Sequence, residues 1–439
     1  LALSGCSVLL LERSVLKKDF AQILCALDVG VAKRQPGAIE ARKFPFLRYA
    51  AMVGDDAPLG AIETWHEFLT RGENVTDTYV GARAAEVSPA DPGALFFSSG
   101  STNKPKGILS AHRGVSVQLW RMARQQGIGD SVRSWTANGF FWSGNFCMVI
   151  GNALSSGGAI VLQSTFNPEE SLELMQAERV TYPIASLHQW SRLESAPNWR
   201  SVDLSSLHYL DYRYPNRDQG TIKTDWRMPL AYGATETLAI NCATIGLKGE
   251  DLPADCYGIP LSGLTLKVID PSTGAIVPRG ERGELAIKGV TLMMGYLGKT
   301  LEECFDNEGF YRTGDGGYLN AEGLMFFEGR LSDIIKTGGA NVSPIEIDLA
   351  IRAHPDVKVT QTIGVPDKLL GEMVVSCIVP NEGAAIDEES LRAYLKERLA
   401  SFKVPRHVIF LTSADIPLTP TGRPQKFRLA ELARARLTA

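Results

Sequence analysis

Two hydrophobic patterns alternate along the first part of this chain. Short apolar runs have the length of buried strands, and they lie at residues 8–11, 95–97, 159–162 and 180–185. Apolar positions recur at helical spacing in the segments between them, at residues 16–27, 64–70, 115–124 and 168–179. Strand patterns that alternate with helix patterns predict a layered α/β domain.

The pattern changes after residue 257. Residues 265–269 and 284–288 are short alternating runs, and glycines stand between them and their neighbours. Alternation with glycine turns predicts a small β-subdomain over about residues 258–329.

A further α+β pattern follows Arg330. Its strand patterns lie at residues 359–365 and 373–379, and its helix patterns lie at 388–399 and 429–437. We therefore predict a large N-terminal domain over residues 1–329, a hinge at 330–333 and a small, mobile α+β lid domain over 333–439. The chain begins at Leu1, within what reads as the middle of a domain, so we expect the N-terminal domain to be incomplete.

Composition narrows the class of protein. The 439 residues are 44% hydrophobic and 21% charged with a net charge of −4, so a basic surface for nucleic acid is not expected. No apolar run reaches the roughly 18 residues that a membrane span needs. The seven cysteines are scattered and never form C-x-x-C. This spacing argues against a disulfide framework and against a zinc site, and it favours a reducing, cytoplasmic location.

One stretch, residues 95–107, has the composition of a phosphate-binding loop. An apolar run leads into small hydroxyl residues and then a lysine, and such residues let backbone N–H groups surround an anion. The candidate anion ligands are Ser98, Ser99, Gly100, Ser101, Thr102 and Lys106. An ordinary surface loop has the same composition, and the stretch is not a Walker A motif.

Four more motifs follow in order, and each alone could be a plain turn. They are Y-G-A-T-E at 232–236, R-T-G-D at 312–315, E-G-R-L-S-D at 328–333 with K-T-G-G-A-N-V-S-P at 336–344, and P-L-T-P-T-G-R-P-Q-K at 417–426. Together with residues 95–107, the set resembles the AMP-forming adenylating enzymes, which include acyl-CoA synthetases, peptide-synthetase adenylation domains and beetle luciferases. The matches run from residue 95 to residue 429.

The resemblance implies a reaction and a role for each motif. An acid would be activated by ATP to an acyl-adenylate with loss of pyrophosphate, and a thiol would then take the acyl group after the lid rotates. Residues 98–106 and Thr235 would contact phosphates, Tyr232 would stack on adenine, and Asp315 and Arg330 would hold the ribose. Glu236 would bind Mg²⁺, and Lys336, Gly338 and Gly339 would line the coenzyme A channel.

Three residues depart from the family pattern. Asn103 replaces a usual glycine, which is tolerable because Asn accepts positive φ. Ser332 occupies a hinge position where Asp or Lys is usual, so lid motion is expected to differ. Arg423 stands where the catalytic lysine follows T-G, and its planar guanidinium is not interchangeable with an ammonium. Lys426 matches a Q-K pair after that lysine, and whether it can substitute stays open.

The preferred interpretation is an acid:CoA ligase with a fatty or other bulky apolar acid. The double-glycine loop resembles that of CoA ligases, and F-F-W-S-G at 140–144 resembles the fatty-acyl branch, although core packing also explains such aromatics. The predicted acyl pocket contains Phe141, Trp142, Asn145 and Ala231. Two alternatives stay open: transfer to a carrier protein, and a degenerate, non-catalytic binder of adenylates or acyl groups. A homodimer is also left open.

Overall fold

The computed structural model describes residues 1–15, 17–54, 56–98, 105–210, 219–226, 228–244, 252–253, 255–418 and 424–438. The chain forms two compact units, each built from separate stretches of sequence. The first contains residues 1–118, 163–165 and 293–304, and the second contains 119–162, 166–292 and 305–439.

The elements up to residue 126 confirm the predicted strand and helix alternation. In chain order they are β1 (Val8–Leu11), β2 (Ser14–Val15), β3 (Lys18–Asp19), α1 (Phe20–Leu27), α2 (Val29–Ala32), β4 (Tyr49–Met52), β5 (Glu63–Thr64), α3 (Trp65–Thr70), α4 (Asp77–Ala85), β6 (Pro92–Ser98), β7 (Lys106–Ala111) and α5 (His112–Gln126). Strands β1, β4 and β5 form one parallel sheet.

The helix predicted at 16–27 begins later than its pattern suggested. Strands β2 and β3 pair as a short hairpin, and Asp19 then accepts a hydrogen bond from the Gln22 backbone N–H at 2.8 Å. An aspartate at this cap satisfies an orphan N–H, so the helix begins at Phe20.

The next elements include three parallel strands with their helices, followed by two antiparallel strands. They are β8 (Arg133–Thr136), α6 (Ser143–Asn145), a π-helical turn (Phe146–Ile150), α7 (Gly151–Ser156), β9 (Ala159–Val161), α8 (Pro168–Ala177), β10 (Tyr182–Ile184), α9 (Leu187–Glu194), β11 (Ala231–Tyr232), a 3₁₀ turn (Thr235–Thr237) and β12 (Cys242–Ala243). Helix α8 begins as predicted, with an Asn167 cap, Pro168 in the first turn and two glutamates near the positive end of the dipole.

Antiparallel strands follow, as the alternating pattern after residue 257 predicted. The elements are β13 (Ile259–Pro260), β14 (Leu264–Ile269), β15 (Gly283–Gly289), β16 (Gly295–Tyr296), α10 (Leu301–Cys304), β17 (Tyr311–Leu319) and β18 (Met325–Arg330). Strands β14, β15, β17 and β18 form one sheet in that order, while β16 pairs with β7 in the first unit.

The C-terminal residues fold as the predicted α+β unit. Its elements are a 3₁₀ turn (Leu331–Asp333), β19 (Ile335–Thr337), β20 (Ala340–Val342), α11 (Pro344–Arg352), β21 (Val357–Asp367), β22 (Gly371–Pro380), α12 (Glu388–Lys396), a 3₁₀ turn (Ser401–Lys403), β23 (His407–Phe410) and α13 (Lys426–Thr438). Along β22, Val374 and Ile378 pack with α11 and α12, while Val375 and Val379 pack with α13. This period of two means that helices cover both faces of the sheet.

A buried carboxyl lies between α11 and this C-terminal sheet. Asp348 of α11 accepts hydrogen bonds from the hydroxyls of Thr360 at 3.0 Å and Thr362 at 2.8 Å, and Thr362 also bonds to Ser376 at 2.7 Å. Burial raises the pKa of Asp348 above the ordinary 3.8, although the two hydroxyls oppose the shift. The folded protein therefore favours the neutral carboxyl.

We predict a pH-dependent stability difference between wild type and Asp348→Asn. The contribution of Asp348 is fully present below pH 3.8 and is lost as the pH rises through the higher folded-state pKa. Asparagine does not titrate, so the free energy of unfolding should shift in favour of the variant, by at most about 1.4 kcal/mol per pH unit in that window. Urea unfolding at several pH values measures this shift. The control is Asp356→Asn, because the Asp356 side chain makes no hydrogen bond within the described residues; an equal shift in both variants would contradict the prediction.

Among the described residues, none of the helices combines the length and the apolar character that a membrane crossing requires.

Candidate active site

A cluster of Tyr232, Asp315 and Arg330 lies where β11 meets β17 and β18, and Tyr232 and Asp315 are its buried members. Asp315 of β17 pairs in register with Arg330 of β18. The Tyr232 hydroxyl donates to Asp315 Oδ2 at 2.5 Å, and Arg330 Nε lies 2.9 Å from Asp315 Oδ1. The Arg330 guanidinium also donates to the Thr313 carbonyl at 2.8 Å. Tyr232, Asp315 and Arg330 come from three different motifs, and the structure brings them into direct contact.

Burial determines the protonation of this cluster. Tyr232 and Asp315 are 5% and 3% exposed. Burial, together with the Asp315 charge, raises the pKa of the Tyr232 phenol well above its ordinary value, so the phenol remains a donor. Burial also raises the pKa of Asp315, and the positive charge of Arg330 opposes this shift. A half-exposed Arg330 beside an aspartate can bind a ligand hydroxyl or anion.

The turn that follows Tyr232 has unusual backbone geometry. Leu238 and Ala239 both have positive φ, at 55° and 76°, a conformation that costs non-glycine residues free energy and clusters at functional sites. Gly233 packs directly on this turn, because a Cβ at 233 would lie 1.3 Å from the Ala239 carbonyl oxygen. Thr235 accepts a hydrogen bond from the Ser143 hydroxyl at 3.2 Å. The half-buried Glu236 is the next residue.

The same turn forms one wall of a cavity of about 320 Å³. Residues from three parts of the second unit line it: Gln126, Trp142, Ser143, Gly144, Met148, Met228, Pro229, Leu230, Ala231, Tyr232, Gly233, Ala234, Thr235, Ala239 and Ile240. Most of these side chains are apolar, as in ligand pockets generally. Tyr232 belongs both to this wall and to the carboxylate cluster.

The structure brings two of the four predicted acyl-pocket residues to this wall. Trp142 and Ala231 line the cavity. Phe141 is 67% exposed and lies outside the lining, so it packs neither there nor in the core. Asn145 is fully buried and donates to the Gly139 carbonyl at 3.2 Å. No motif predicted Gln126 or Met148 for this pocket, because only contacts distant in sequence place them here.

The predicted phosphate loop belongs to the first unit. Strands β6 and β7 form an antiparallel hairpin in which Ser98 pairs with Lys106, so the loop connects two strands. Lys106 Nζ lies 5.4 Å from the centre of the Tyr296 ring. Ser99, Gly100, Ser101 and Thr102 lie outside the described residues, as do Asn103 and Lys104.

The double-glycine motif is a tight hairpin turn. Gly338 and Gly339 connect β19 to β20 with φ of 57° and 83°, a geometry that favours glycine at both positions. Lys336 and Asn341, paired across the hairpin, line a cleft of about 580 Å³ together with Arg282, Glu328, Glu346 and Lys403 among others. The two glycines themselves are not part of that lining.

The last motif is only partly visible in the structure. Arg423 lies outside the described residues. Lys426 begins α13 and forms an ion pair with Asp333 at 3.2 Å, in which both side chains are one-third exposed. Ser332, at the predicted hinge, donates to Asp333 at 3.2 Å.

Comparison with known proteins assigns the chain to a family. The sequence model of the AMP-binding enzyme family matches residues 4–297. The sequence model of the AMP-binding enzyme C-terminal domain matches residues 346–423. The chain belongs to the AMP-binding enzyme family. This confirms both the predicted resemblance and the α/β fold with a large N-terminal and a small C-terminal domain.

Relatives of this AMP-binding enzyme are acyl-CoA ligases. It is 30% identical to a feruloyl-CoA synthase of Amycolatopsis sp. over 75% of this chain and 67% of the relative. It is 29% identical to a 3-(7a-methyl-1,5-dioxo-octahydro-1H-inden-4-yl)propanoyl:CoA ligase of Mycobacterium tuberculosis. That alignment covers 95% of this chain and 81% of the relative. It is 26% identical to a mitochondrial medium-chain acyl-CoA ligase of Macaca fascicularis, over 97% and 71%.

Solved structures of adenylate-forming enzymes share the fold. The anthranilate CoA ligase AuaEII in complex with anthranoyl-AMP superimposes with a TM-score of 0.77 at 21% identity, covering 100% of this chain and 80% of that one. ATP-bound MatB from Rhodopseudomonas palustris gives 0.66 at 24% identity, covering 94% and 91%.

Proposed function

We propose that this protein is an acid:CoA ligase that forms AMP. A carboxylate oxygen attacks the α-phosphorus of ATP, the bond to pyrophosphate breaks, and the thiol of coenzyme A then attacks the acyl carbonyl and releases AMP. The observation that carries the proposal is the double role of Tyr232, which donates to Asp315 at 2.5 Å and also lines the apolar cavity. A nucleotide subsite and an acyl subsite would thus meet at one strand end.

The polar side of Tyr232 would bind the nucleotide. Asp315, with its second oxygen 2.9 Å from Arg330, would accept from the ribose hydroxyls, and adenine would stack on Tyr232. Thr235 would donate to the α-phosphate. The loop between Ser98 and Lys106 would bind the outer phosphates, where Lys106 contributes positive charge. Of these groups, Thr235 and Lys106 would stabilise the negative charge that grows as pyrophosphate leaves.

Glu236 would hold Mg²⁺, and its surroundings suit that ion. Mg²⁺ is usually bound by one or two carboxylates together with substrate phosphates. Within the described part of the chain, no three His, Cys, Asp or Glu side chains form a protein cage for a metal. The half-buried Glu236, next to Thr235, would supply one such carboxylate. When bound, Mg²⁺ neutralises phosphate charge.

The apolar cavity would bind the acyl group of a fatty or other bulky apolar acid. Its volume of about 320 Å³ lies near the lower end of the usual range for ligand pockets. Trp142 and Ala231 supply predicted apolar walls, and Met148 is a flexible side chain that adapts to irregular ligands. The acids named for the relatives, feruloyl, medium-chain acyl and dioxo-indenyl propanoyl, all have extended apolar parts.

Coenzyme A would approach along the cleft beside the β19–β20 hairpin. Lys336 is exposed there and can attract the phosphates of the ligand. The adjacent Gly338 and Gly339 keep the hairpin tip free of side chains, so that a thiol arm could pass close to the backbone. We propose that residues 330–333 are the hinge on which this hairpin moves between the two half-reactions.

A screen of carboxylic acids tests the proposed function. We expect AMP release that depends on an apolar acid, and acyl-CoA when coenzyme A is present. Thioester formation on a carrier protein but never on coenzyme A would contradict the proposed acceptor. Nucleotide binding by calorimetry without AMP release from any acid would contradict the enzyme assignment itself.

Arg423 gives a smaller, specific prediction. Arginine keeps the positive charge that adenylation requires, but its planar fork fits a lysine site imperfectly. We expect wild-type pyrophosphate exchange to be measurable, and Arg423→Lys to be faster by at most about tenfold, a change of about 1.4 kcal/mol in the barrier. Exchange that is absent in wild type and appears only in Arg423→Lys would show that this arginine blocks adenylation. Arg428→Lys, an exposed arginine on α13, is the matched control.

A further inference from the structure

Gln126 is the polar exception in the inner wall of the cavity. It is the last residue of α5, is 6% exposed, and lines the cavity beside Met148, Met228 and Ile240. Buried polar side chains are uncommon unless they are hydrogen-bonded, because desolvation is costly. The position of Gln126 therefore needs a physical reason.

Two buried donors hold the Gln126 carboxamide in one orientation. Its Oε1 accepts from Asn152 Nδ2 at 2.8 Å and from the Tyr182 hydroxyl at 3.0 Å. Asn152 and Tyr182 are both completely buried. The opposite end of the carboxamide, Nε2, donates to no acceptor within the residues that the structure describes. Gln126 lines the cavity, and the neighbouring side chains of its inner wall are apolar.

The arrangement gives the cavity an outer and an inner side. Gly233 is exposed and Thr235 is half-exposed, whereas Gln126 is buried and its partners are fully buried. If the acid places its carboxyl beside Thr235, as the proposed function requires, the rest of the acyl group enters the cavity toward the buried Gln126.

We propose that Gln126 determines substrate specificity by donating a hydrogen bond from Nε2 to an acceptor oxygen that the acyl group carries away from its carboxyl. The substrate is then an apolar acid with a keto, ether or hydroxyl oxygen, and not a plain hydrocarbon acid. This inference rests on the proposed function for the direction in which the acid binds. A purely structural Gln126 would stabilise the protein and leave the relative affinities of two acids unchanged.

Matched acids separate these two roles. The probes are decanoic acid and its 5-oxo, 7-oxo and 9-oxo derivatives, which add one acceptor at different depths of the cavity. Binding to the full chain is measured by calorimetry in the presence of a non-hydrolysable ATP analogue, and AMP release is measured separately. We expect wild type to bind at least one oxo acid about tenfold more tightly than decanoic acid.

The variants are Gln126→Leu and Gln126→Met, which remove the donor and keep an apolar side chain of similar size. Both should lose the preference for the oxo acid while they still bind decanoic acid. Gln125→Leu is the matched control, because the neighbouring glutamine does not line the cavity, and it should keep the preference.

The outcomes distinguish this inference from the proposed function. No preference for any oxo acid in wild type, or an equal preference in Gln126→Leu and Gln126→Met, would overturn the role of Gln126 even if AMP is released. A preference that depends on Gln126 without AMP release from any acid would support the specificity site and refute the ligase.

Discussion

Gly233→Ala should reduce AMP formation by at least about a hundredfold. The new Cβ would lie 1.3 Å from the carbonyl oxygen of Ala239 and 2.4 Å from its carbonyl carbon. These are backbone atoms, so no side-chain rotation relieves the overlap, and the turn that carries Thr235 and Glu236 must move. A displacement of about 1 Å at a catalytic group can cost about a hundredfold in rate.

Gly81→Ala is the matched control for this glycine. Gly81 lies within α4, and a Cβ there would meet nothing within 4 Å. Alanine in an exposed helix interior is expected to be neutral or slightly stabilising. Steady-state AMP release and thermal unfolding should be measured for both variants. Gly233→Ala activity within threefold of wild type would show that the turn is not part of the active site.

Asp315→Asn should raise the KM for ATP by about ten- to a hundredfold. The variant removes the charge that faces Arg330 at 2.9 Å, and hydrogen bonds to charged groups contribute about 1.5–3 kcal/mol. Tyr232 can still donate to an asparagine oxygen, so the fold should persist. Binding of the acid in the absence of nucleotide should change little, because the cavity lining does not include Asp315.

Two further variants provide a smaller expected effect and a control for Asp315→Asn. Tyr232→Phe removes one hydrogen bond and leaves the Asp315–Arg330 ion pair, so its effect on the KM for ATP should be smaller, about two- to tenfold. Asp130→Asn is the control, since Asp130 is exposed and has no side-chain bond within the described residues. An unchanged KM for ATP in a folded Asp315→Asn protein would exclude Asp315 from the nucleotide site.

The elements of regular pattern could be predicted from the sequence because their cause is local. The strand patterns at 359–365 and 373–379 correspond to β21 and β22, where alternate side chains serve two cores. The hairpin before α1 was missed because its apolar residues also fit a helix period. The pattern allowed either a helix from residue 16 or a helix from residue 20, and the hydrogen bond from the Gln22 N–H to Asp19 caps the helix that begins at residue 20.

The site could be predicted only in part, and contacts distant in sequence explain the difference. Tyr232 and Asp315 are 83 residues apart, and only the resemblance to a family placed them together. Gln126 belongs to no motif, and its bonds reach Asn152 and Tyr182, which are 26 and 56 residues away. Phe141 and Trp142 are adjacent aromatic residues of one motif, but only Trp142 lines the cavity, and Phe141 is 67% exposed.

The pairing of β16 with β7 has a consequence for synthesis of the protein. Leu109 and Ile108 of β7 acquire their partners, Gly295 and Tyr296, only after most of the second unit has left the ribosome. Until then one edge of the β6–β7 hairpin has no strand beside it, and an open edge can pair with another chain. The first unit therefore cannot be completed during translation in the order of its sequence, and nascent chains that stop before residue 293 should depend most on chaperones.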